Sequence, residues 1–219
     1  MDAALRHAWT RLVSANDIDE HMHQVGQAAA NAELLVSMLR SQHHGRATKL
    51  LLVGGGTGQF LDYVDAADFA QHNIVLSDIN PKFLERAQAR FAKADLQNVA
   101  FIVDDIENTA LSGPFDSIAV AMVLEHIDWR IGLRNIHNLA PTWLSIIFQR
   151  NPDNMATAIA PNRKLNASLQ AFASVAHPVL VESEALIEFL AALGYRLQAR
   201  DERPVADGKT MLGFTFSRA

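Results

Sequence analysis

Cysteine is absent from this 219-residue chain. Its absence removes disulfides, thiolate-held metals and cysteine nucleophiles together, and any metal would have to be held by His, Asp or Glu. Basic charge is scarce as well. The 19 Lys and Arg stand against 24 Asp and Glu, for a net charge of -5, so the basic face that a nucleic-acid groove normally presents is not expected. No apolar run approaches the roughly 18 residues of a membrane span. The opening MDAALRHAWTRLV has neither the basic end nor the unbroken apolar stretch of a signal peptide. The expectation is a cytoplasmic protein, monomer or homodimer, without a nucleic-acid or membrane partner. Internal repeats, low-complexity tracts and linkers are missing too. At 49% hydrophobic and 20% charged residues, the composition is that of a globular chain able to bury one substantial core.

Glycine, by contrast, is concentrated: four of the 11 fall between Gly54 and Gly58, directly after an aliphatic run. That run, KLLLV (49–53), is the first of several short β-rich stretches. NIVLS (73–77), VAFIV (99–103), FDSIAVA (115–121) and WLSIIFQ (143–149) follow, and most are continuously apolar, as parallel strands covered on both faces are. Helices are expected between them, from about 58 to 66, over 81–93 and over 128–139. Asn80 suits an N-cap, Pro81 the first helical position, and Pro141 a stop. Strand and helix in alternation give a doubly wound α/β sheet. Near the far end, helical patterns at 162–175 and 183–192 precede RLQARDE (196–202) and KTMLGFTFSR (209–218). So short a connection between two strands forces them antiparallel. The expected fold is therefore a Rossmann-like, mostly parallel seven-stranded sheet with an antiparallel last strand, residues 46–219. Helical patterns at 3–13 and 18–40 make an N-terminal arm or lid, residues 1–45.

The glycine loop narrows the ligand. Gly58-Gln59-Phe60 excludes a Walker A loop, which needs Gly-Lys-Ser/Thr there. Gln59 also stands where a dinucleotide fingerprint would need its third glycine. The spacing present is Gly54-x-Gly56-x-Gly58, with Asp78 at the end of the second strand, where a carboxylate can accept from both hydroxyls of a ribose.

LLLVGGGTG (50–58), LSDIN with Asp78, FIVDDIE with Asp105 and AMVLEHI (121–127) occur in that order. With the antiparallel end of the sheet, the chain resembles the class I S-adenosylmethionine-dependent methyltransferases over residues 48–218. The resemblance implies S-adenosylmethionine as cofactor and a small organic molecule as methyl acceptor. Gly54, Gly55, Gly56 and Gly58 would lay bare backbone against the methionine portion. Asp78 and Ile79 would take the ribose, and Asp105 and Ile106 the adenine, with Asp104 left in solvent. Ala121 and Met122 would border the transferred methyl group. Leu52 stands where this family often has an acid.

Other resemblances compete. The triple glycine is similar to that of the aminopropyltransferases of polyamine synthesis, but Met122, Val123 and Leu124 replace their aspartate after the fourth strand. Glu125-His126 resembles the pair in the ubiquinone-pathway O-methyltransferases, whose metal site needs an upstream glutamate. Met122 occupies that position, and no metal is expected. His126 is then the candidate general base, since an imidazole takes a proton near neutral pH; the plainer alternative is a pair that satisfies backbone donors at a helix start. Family arms fold over the donor site, and Gln24, Gln27 and Asn31 lie on one stripe with His23, so His23, Gln27 and their stripe neighbours are candidates for substrate or donor contact, with the 122–129 segment carrying Trp129 and the 150–180 stretch bounding the rest of the pocket. His21 and His23, two apart on a helix, face different ways and do not chelate. Arg130, Arg134, Arg150 and Arg163 are expected on a solvated surface. The signature of amide and exocyclic-amine methyltransferases is missing, as is the paired-glutamate loop of protein arginine methyltransferases. The competing functions are a nicotinamide-dependent oxidoreductase and a non-catalytic donor-binding protein.

Overall fold

The computed structural model describes residues 1–43, 48–153, 155, 164–176, 179 and 181–219. Strands β1 (Lys49–Val53), β2 (Asn73–Asp78), β3 (Val99–Val103), β4 (Ser117–Ala121), β5 (Trp143–Arg150), β6 (Tyr195–Pro204) and β7 (Thr210–Arg218) form one sheet in the order β3-β2-β1-β4-β5-β7-β6. The first five run parallel, and β7 is antiparallel to both β5 and β6. This is the sheet expected from the sequence.

The two-residue period of a strand divides β1 between two cores. Leu51 and Val53 join Ile118 and Val120 under helices α6 (Trp129–Asn138) and α8 (Ser183–Ala192). Leu50 and Leu52 join Ala119 under α3 (Gln27–His43) and α5 (Pro81–Lys93). Burial on both faces is why these strands read as continuous apolar runs. Because β1 pairs with β2 on one side and β4 on the other, the strand order reverses at β1. The crevice outside the carboxyl ends of β1 and β4 is the ligand position in such sheets.

Three expectations about helices need correction. The pattern at 18–40 is two helices, α2 (Ala15–Gln24) and α3, because Gly26 takes φ +76° between them, a conformation that is costly for other residues. The part before Gly26 lies over the crevice, and the first turns of α3 also border it through Gln27 and Asn31. That first part comprises α1 (Ala3–His7), a π-helical turn (Ala8–Leu12) and α2. The third helix is part of the central layer: Leu34 and Met38 are 0% and 2% exposed, and Gln42 donates to Ser145 Oγ at 2.6 Å while accepting from Ser117 Oγ at 2.6 Å. A boundary at residue 45 therefore severs α3 from its own core. The expected helix over 58–66 is instead a 3₁₀ turn (Gln59–Asp62), followed by the short helix α4 (Ala67–Ala70). Asp65 turns the chain between them, accepting from Ala67 N–H at 2.9 Å. Of the helix expected over 162–175, α7 covers Ala167–Ala173; positions 162 and 163, the second being Arg163, lie outside the described residues.

Candidate functional site

A cavity of about 280 Å³ opens at the carboxyl ends of β1, β2 and β4, under the arm. The glycine loop forms one wall, and its members serve different ends. Ser77 carbonyl accepts from Gly54 and Gly55 N–H at 2.9 and 3.1 Å, holding the loop on the tip of β2. A Cβ at Gly54 would lie 2.1 Å from Val123 Cγ2, and one at Gly55 2.4 Å from Leu76 Cγ, so these two admit close neighbours. Gly56 differs. Its φ is +57° and a Cβ there would meet nothing nearer than 3.9 Å, so the backbone is bare toward open space beside the cavity. Gly58 does not border the cavity; its Cβ would be 3.3 Å from Ala87 on α5, which makes its role one of packing and corrects the expected ligand contact.

Asp78 joins loop to ligand site. Its two oxygens accept from Gly56 N–H at 2.9 Å and Asn80 N–H at 2.8 Å. Burial pushes its carboxyl up to about 6, with those N–H groups opposing the shift. Leu52 is buried in the core, and the loop is braced from elsewhere. Asp19, on α2, accepts from the Thr57 hydroxyl and from Arg90 Nη2 at 2.8 Å. Arg90 also donates to Thr57 carbonyl at 2.9 Å, and Gln59 Nε2 to Asp19 carbonyl at 2.7 Å.

Asp105 and Ile106 border the cavity beyond Asp78 and Ile79. Asp105 accepts from Glu107 N–H at 3.1 Å and from the Arg6 guanidinium. Asp104 is not the solvated neighbour expected. It borders the same cavity, with Oδ1 accepting from Ala110 N–H at 3.1 Å and Oδ2 buried without a partner. Met122, after Ala121 on the cavity wall, takes φ +58°, rare for a side chain of its size and characteristic of functional sites. Its N–H donates to Ile147 carbonyl at 2.9 Å.

At the other end of the cavity, Trp9, His21, Met22, Gln27, Asn31, Glu125, His126, Gln149 and Phe172 converge from widely separated positions. Gln27 is buried and donates to Gln149 Oε1. Glu125 is 5% exposed; its Oε1 accepts from Gln149 N–H at 2.8 Å, and its Oε2 has no partner. Burial pushes this carboxyl up to about 7. His126 packs between Trp9 and Phe172, with ring centroids 5.2 and 5.8 Å away. Burial drives its imidazole down to about 4, so it is neutral around pH 7 and holds a proton weakly, unlike the base near 6.5 expected from the sequence.

Two expected contacts are not made. His23 is exposed and bonds Tyr63 Oη through Nδ1 at 2.6 Å, while its neighbour His21 reaches the cavity. The two do face different ways, and the helix phase decides which turns inward. Trp129 is buried against Phe189, centroids 5.3 Å apart, with Arg130 over its ring at 4.0 Å; it belongs to the core beneath β4. Among the described residues, no group of three or more His, Cys, Asp or Glu is placed to hold a metal ion. Asp19 and Trp9 carried no sequence signal of their own, whereas Gln27 and Asn31, on the stripe expected to meet a ligand, do border the cavity and Gln24 does not. Glu125 carried a signal, as one half of the Glu-His pair.

A family model described as a methyltransferase domain matches residues 51–141. The malonyl-[acyl-carrier protein] O-methyltransferase of Paenibacillus sp. (strain JDR-2) is 27% identical over 169 residues, covering 74% of this chain and 58% of that protein. The chain thus spans little more than half of that relative's length. Among solved structures, magnesium protoporphyrin IX methyltransferase from Synechocystis PCC 6803, with bound SAM, superposes with a TM-score of 0.68 at 14% identity, covering 99% of this chain and 90% of that one. The 1,6-didemethyltoxoflavin-N1-methyltransferase of Burkholderia thailandensis, with 1,6-didemethyltoxoflavin and S-adenosylhomocysteine bound, gives 0.59 at 19% identity over 94% and 87% of the two chains. At these identities the structural likeness speaks for the fold.

Proposed function

We propose that this chain belongs to the class I S-adenosylmethionine-dependent methyltransferases, as its match to a methyltransferase domain over residues 51–141 supports, and that it transfers the methyl group of S-adenosylmethionine to a small organic acceptor. The observation that carries the reading is one continuous cavity with a bare-backbone, carboxylate-lined wall at Gly56, Asp78 and Asp105 and an aromatic, hydrogen-bonding wall at Trp9, Glu125, His126 and Phe172. The residues fit the donor. Gly56 leaves space where a side chain would intrude, Asp78 offers acceptor capacity for ribose hydroxyls, and Asp105 for the adenine amino group, with Ile106 against the ring.

S-adenosylmethionine supplies an electrophilic sulfonium carbon and a thioether that leaves without acid help. The protein's work is alignment and exclusion of water, and effective molarities of about 10⁵ to 10⁸ M show how much alignment alone supplies. The arm serves both. Its helix α2 is tied to the loop through Asp19, and its π-helical turn is tied to the start of α5, where Asn80 Nδ2 donates to Trp9 carbonyl at 2.7 Å. His126, neutral and wedged between two aromatic rings, forms part of the acceptor wall.

Gln59 and the antiparallel β7 favour this reading over a nicotinamide-dependent oxidoreductase. Among the described residues no helix is long and apolar enough to cross a membrane, and a cytoplasmic location belongs to the same proposal. Thermal unfolding with S-adenosylmethionine, S-adenosylhomocysteine and NAD separates the readings. A ligand at 100-fold its dissociation constant adds about 2.7 kcal/mol, and stabilisation by the first two but not by NAD is expected. Stabilisation by NAD alone would overturn the proposal. Donor binding without label transfer to any of a broad set of small molecules would favour the non-catalytic reading.

A further inference from the structure

We infer that the acceptor end of the cavity takes an uncharged molecule whose nucleophilic atom carries a proton, a hydroxyl or an N–H, and that Glu125 receives that proton. The inference rests on the proposed methyl transfer and names the acceptor's chemistry.

Glu125 is held in place: Gln149 N–H fixes Oε1 at 2.8 Å, and the Glu125 carbonyl accepts from Val179 N–H at 2.8 Å. Its second oxygen is buried beside a ligand-sized cavity and has no partner. Such an atom costs free energy unless a proton or a ligand donor satisfies it. Asn31 Oδ1, bordering the same cavity, is buried and unpartnered too. Both atoms call for a donor on the ligand.

The charge of the lining agrees. Among the described lining residues there is no Lys or Arg, while Asp19, Asp78, Asp104, Asp105 and Glu125 are acids and His21 and His126 the remaining titratable side chains. Asp19 is paired with Arg90, and Asp105 with Arg6, from outside the cavity. Glu125 has no such partner, so a carboxylate acceptor would sit against its charge with no lining Lys or Arg to offset it, the Met1 ammonium at the cavity being paired with Glu107. The aromatic and apolar neighbours Trp9, Met22, Leu169 and Phe172 suit the body of a planar or hydrophobic molecule.

In the transfer, the acceptor's O–H or N–H bond breaks and its oxygen or nitrogen bonds the methyl carbon as the S–CH₃ bond breaks. The proton passes to Glu125 Oε2, and the sulfur leaves as a neutral thioether.

A matched pair of probes tests this without knowledge of the natural acceptor. p-Cresol and p-toluate share one ring and differ in carrying a hydroxyl or a carboxylate. Each is titrated calorimetrically into the S-adenosylhomocysteine-loaded protein at about pH 8, where Glu125 is ionised and the phenol is not. Wild type is expected to bind p-cresol about tenfold or more tighter than p-toluate, the scale of one hydrogen bond to a charged group. Glu125→Gln should weaken p-cresol and strengthen p-toluate, collapsing the ratio. Equal or tighter binding of p-toluate by wild type, no binding of p-cresol, or an unchanged ratio in Glu125→Gln would overturn the inference. The wild-type ratio decides even if the variant does not fold. Failure to load S-adenosylhomocysteine would instead overturn the proposed methyl transfer itself.

Discussion

At the donor end of the cavity, the decisive groups lie close together in sequence and are largely backbone: the N–H groups of Gly54, Gly55 and Gly56, the Ser77 carbonyl, and the carboxylate of Asp78. At the acceptor end they are side chains drawn from the arm, the start of α3, the segment after β4, the end of β5 and α7: Trp9, Gln27, Asn31, Glu125, Gln149 and Phe172. On the proposed reading the first arrangement would recognise a part of the donor that does not vary, a nucleoside with two ribose hydroxyls. The second can be changed one side chain at a time without disturbing the loop. Asp19 joins the two ends, since it stands on an arm helix yet holds Thr57 in the glycine loop.

The largest expected effect comes from dividing the arm itself. Deleting residues 1–40 removes Leu34, Leu35, Met38 and Leu39 from the core. At about 1.5–3 kcal/mol each, their loss rivals the whole of a domain's usual stability of about 5–15 kcal/mol. That truncation should show no cooperative transition in circular dichroism melting. Deleting residues 1–24 should keep one, at lower temperature. If both truncations melt alike, α3 is not the core element described above.

Gly56→Val comes next. A β-branched residue at φ +57° is strained by about 1–2 kcal/mol, and its side chain would enter the donor end. Calorimetry should find S-adenosylhomocysteine binding weakened at least about a hundredfold, because the added strain and intrusion together exceed about 2.7 kcal/mol, while the protein stays folded. Normal binding would reduce the loop to a turn. Asp78→Asn should be milder, costing the donor about 1.5–3 kcal/mol, the range for a hydrogen bond to a charged group, with acceptor-probe binding in the loaded protein nearly unchanged. Equal loss of donor and probe would deny the two ends their independence. His23→Ala should do least. It is exposed and engaged with Tyr63, so stability and donor affinity should stay within about 0.5 kcal/mol of wild type; a large loss of turnover would return His23 to the substrate wall.

The difference between the ends also explains what could be read from the sequence. The strands were legible because burial on both faces leaves continuous apolar runs, and the glycine loop because close approach of Val123, Leu76 and Ala87 and the φ of +57° at Gly56 each disfavour a side chain within one short segment. Asp78 was marked by its spacing from the glycines and Asp105 and Ile106 by the family resemblance, and all three border the cavity. Contacts between distant segments leave no such trace. His21 and His23 are indistinguishable until the helix phase is fixed, and Trp129 looked available because nothing local shows that α6 turns it onto Phe189. His126 borders the cavity, but burial lowers its proton affinity, and the rings packed on it, Trp9 and Phe172, are both far from it in the chain. Glu125, written beside it, has the free oxygen. Gly26, a glycine inside a helical pattern, is the one local sign of the break between α2 and α3.

Donor affinity measured against pH tests the central claim most directly. Burial raises Asp78 from its ordinary 3.8 to about 6, so this group favours folding in its protonated form: the stability it contributes is greatest below 3.8 and is lost as pH rises through about 6. Donor binding runs the other way, because only the ionised carboxylate accepts from both ribose hydroxyls. Titration of S-adenosylhomocysteine into wild type should give one site per chain with constant affinity from about pH 7 to 8 and about tenfold weaker binding at pH 5, one unit below the Asp78 midpoint. Asp78→Asn should lose that pH dependence. Absence of S-adenosylhomocysteine binding at pH 7, or a wild-type pH dependence retained in Asp78→Asn, would contradict the assignment of Asp78 and its glycine loop to the methyl donor.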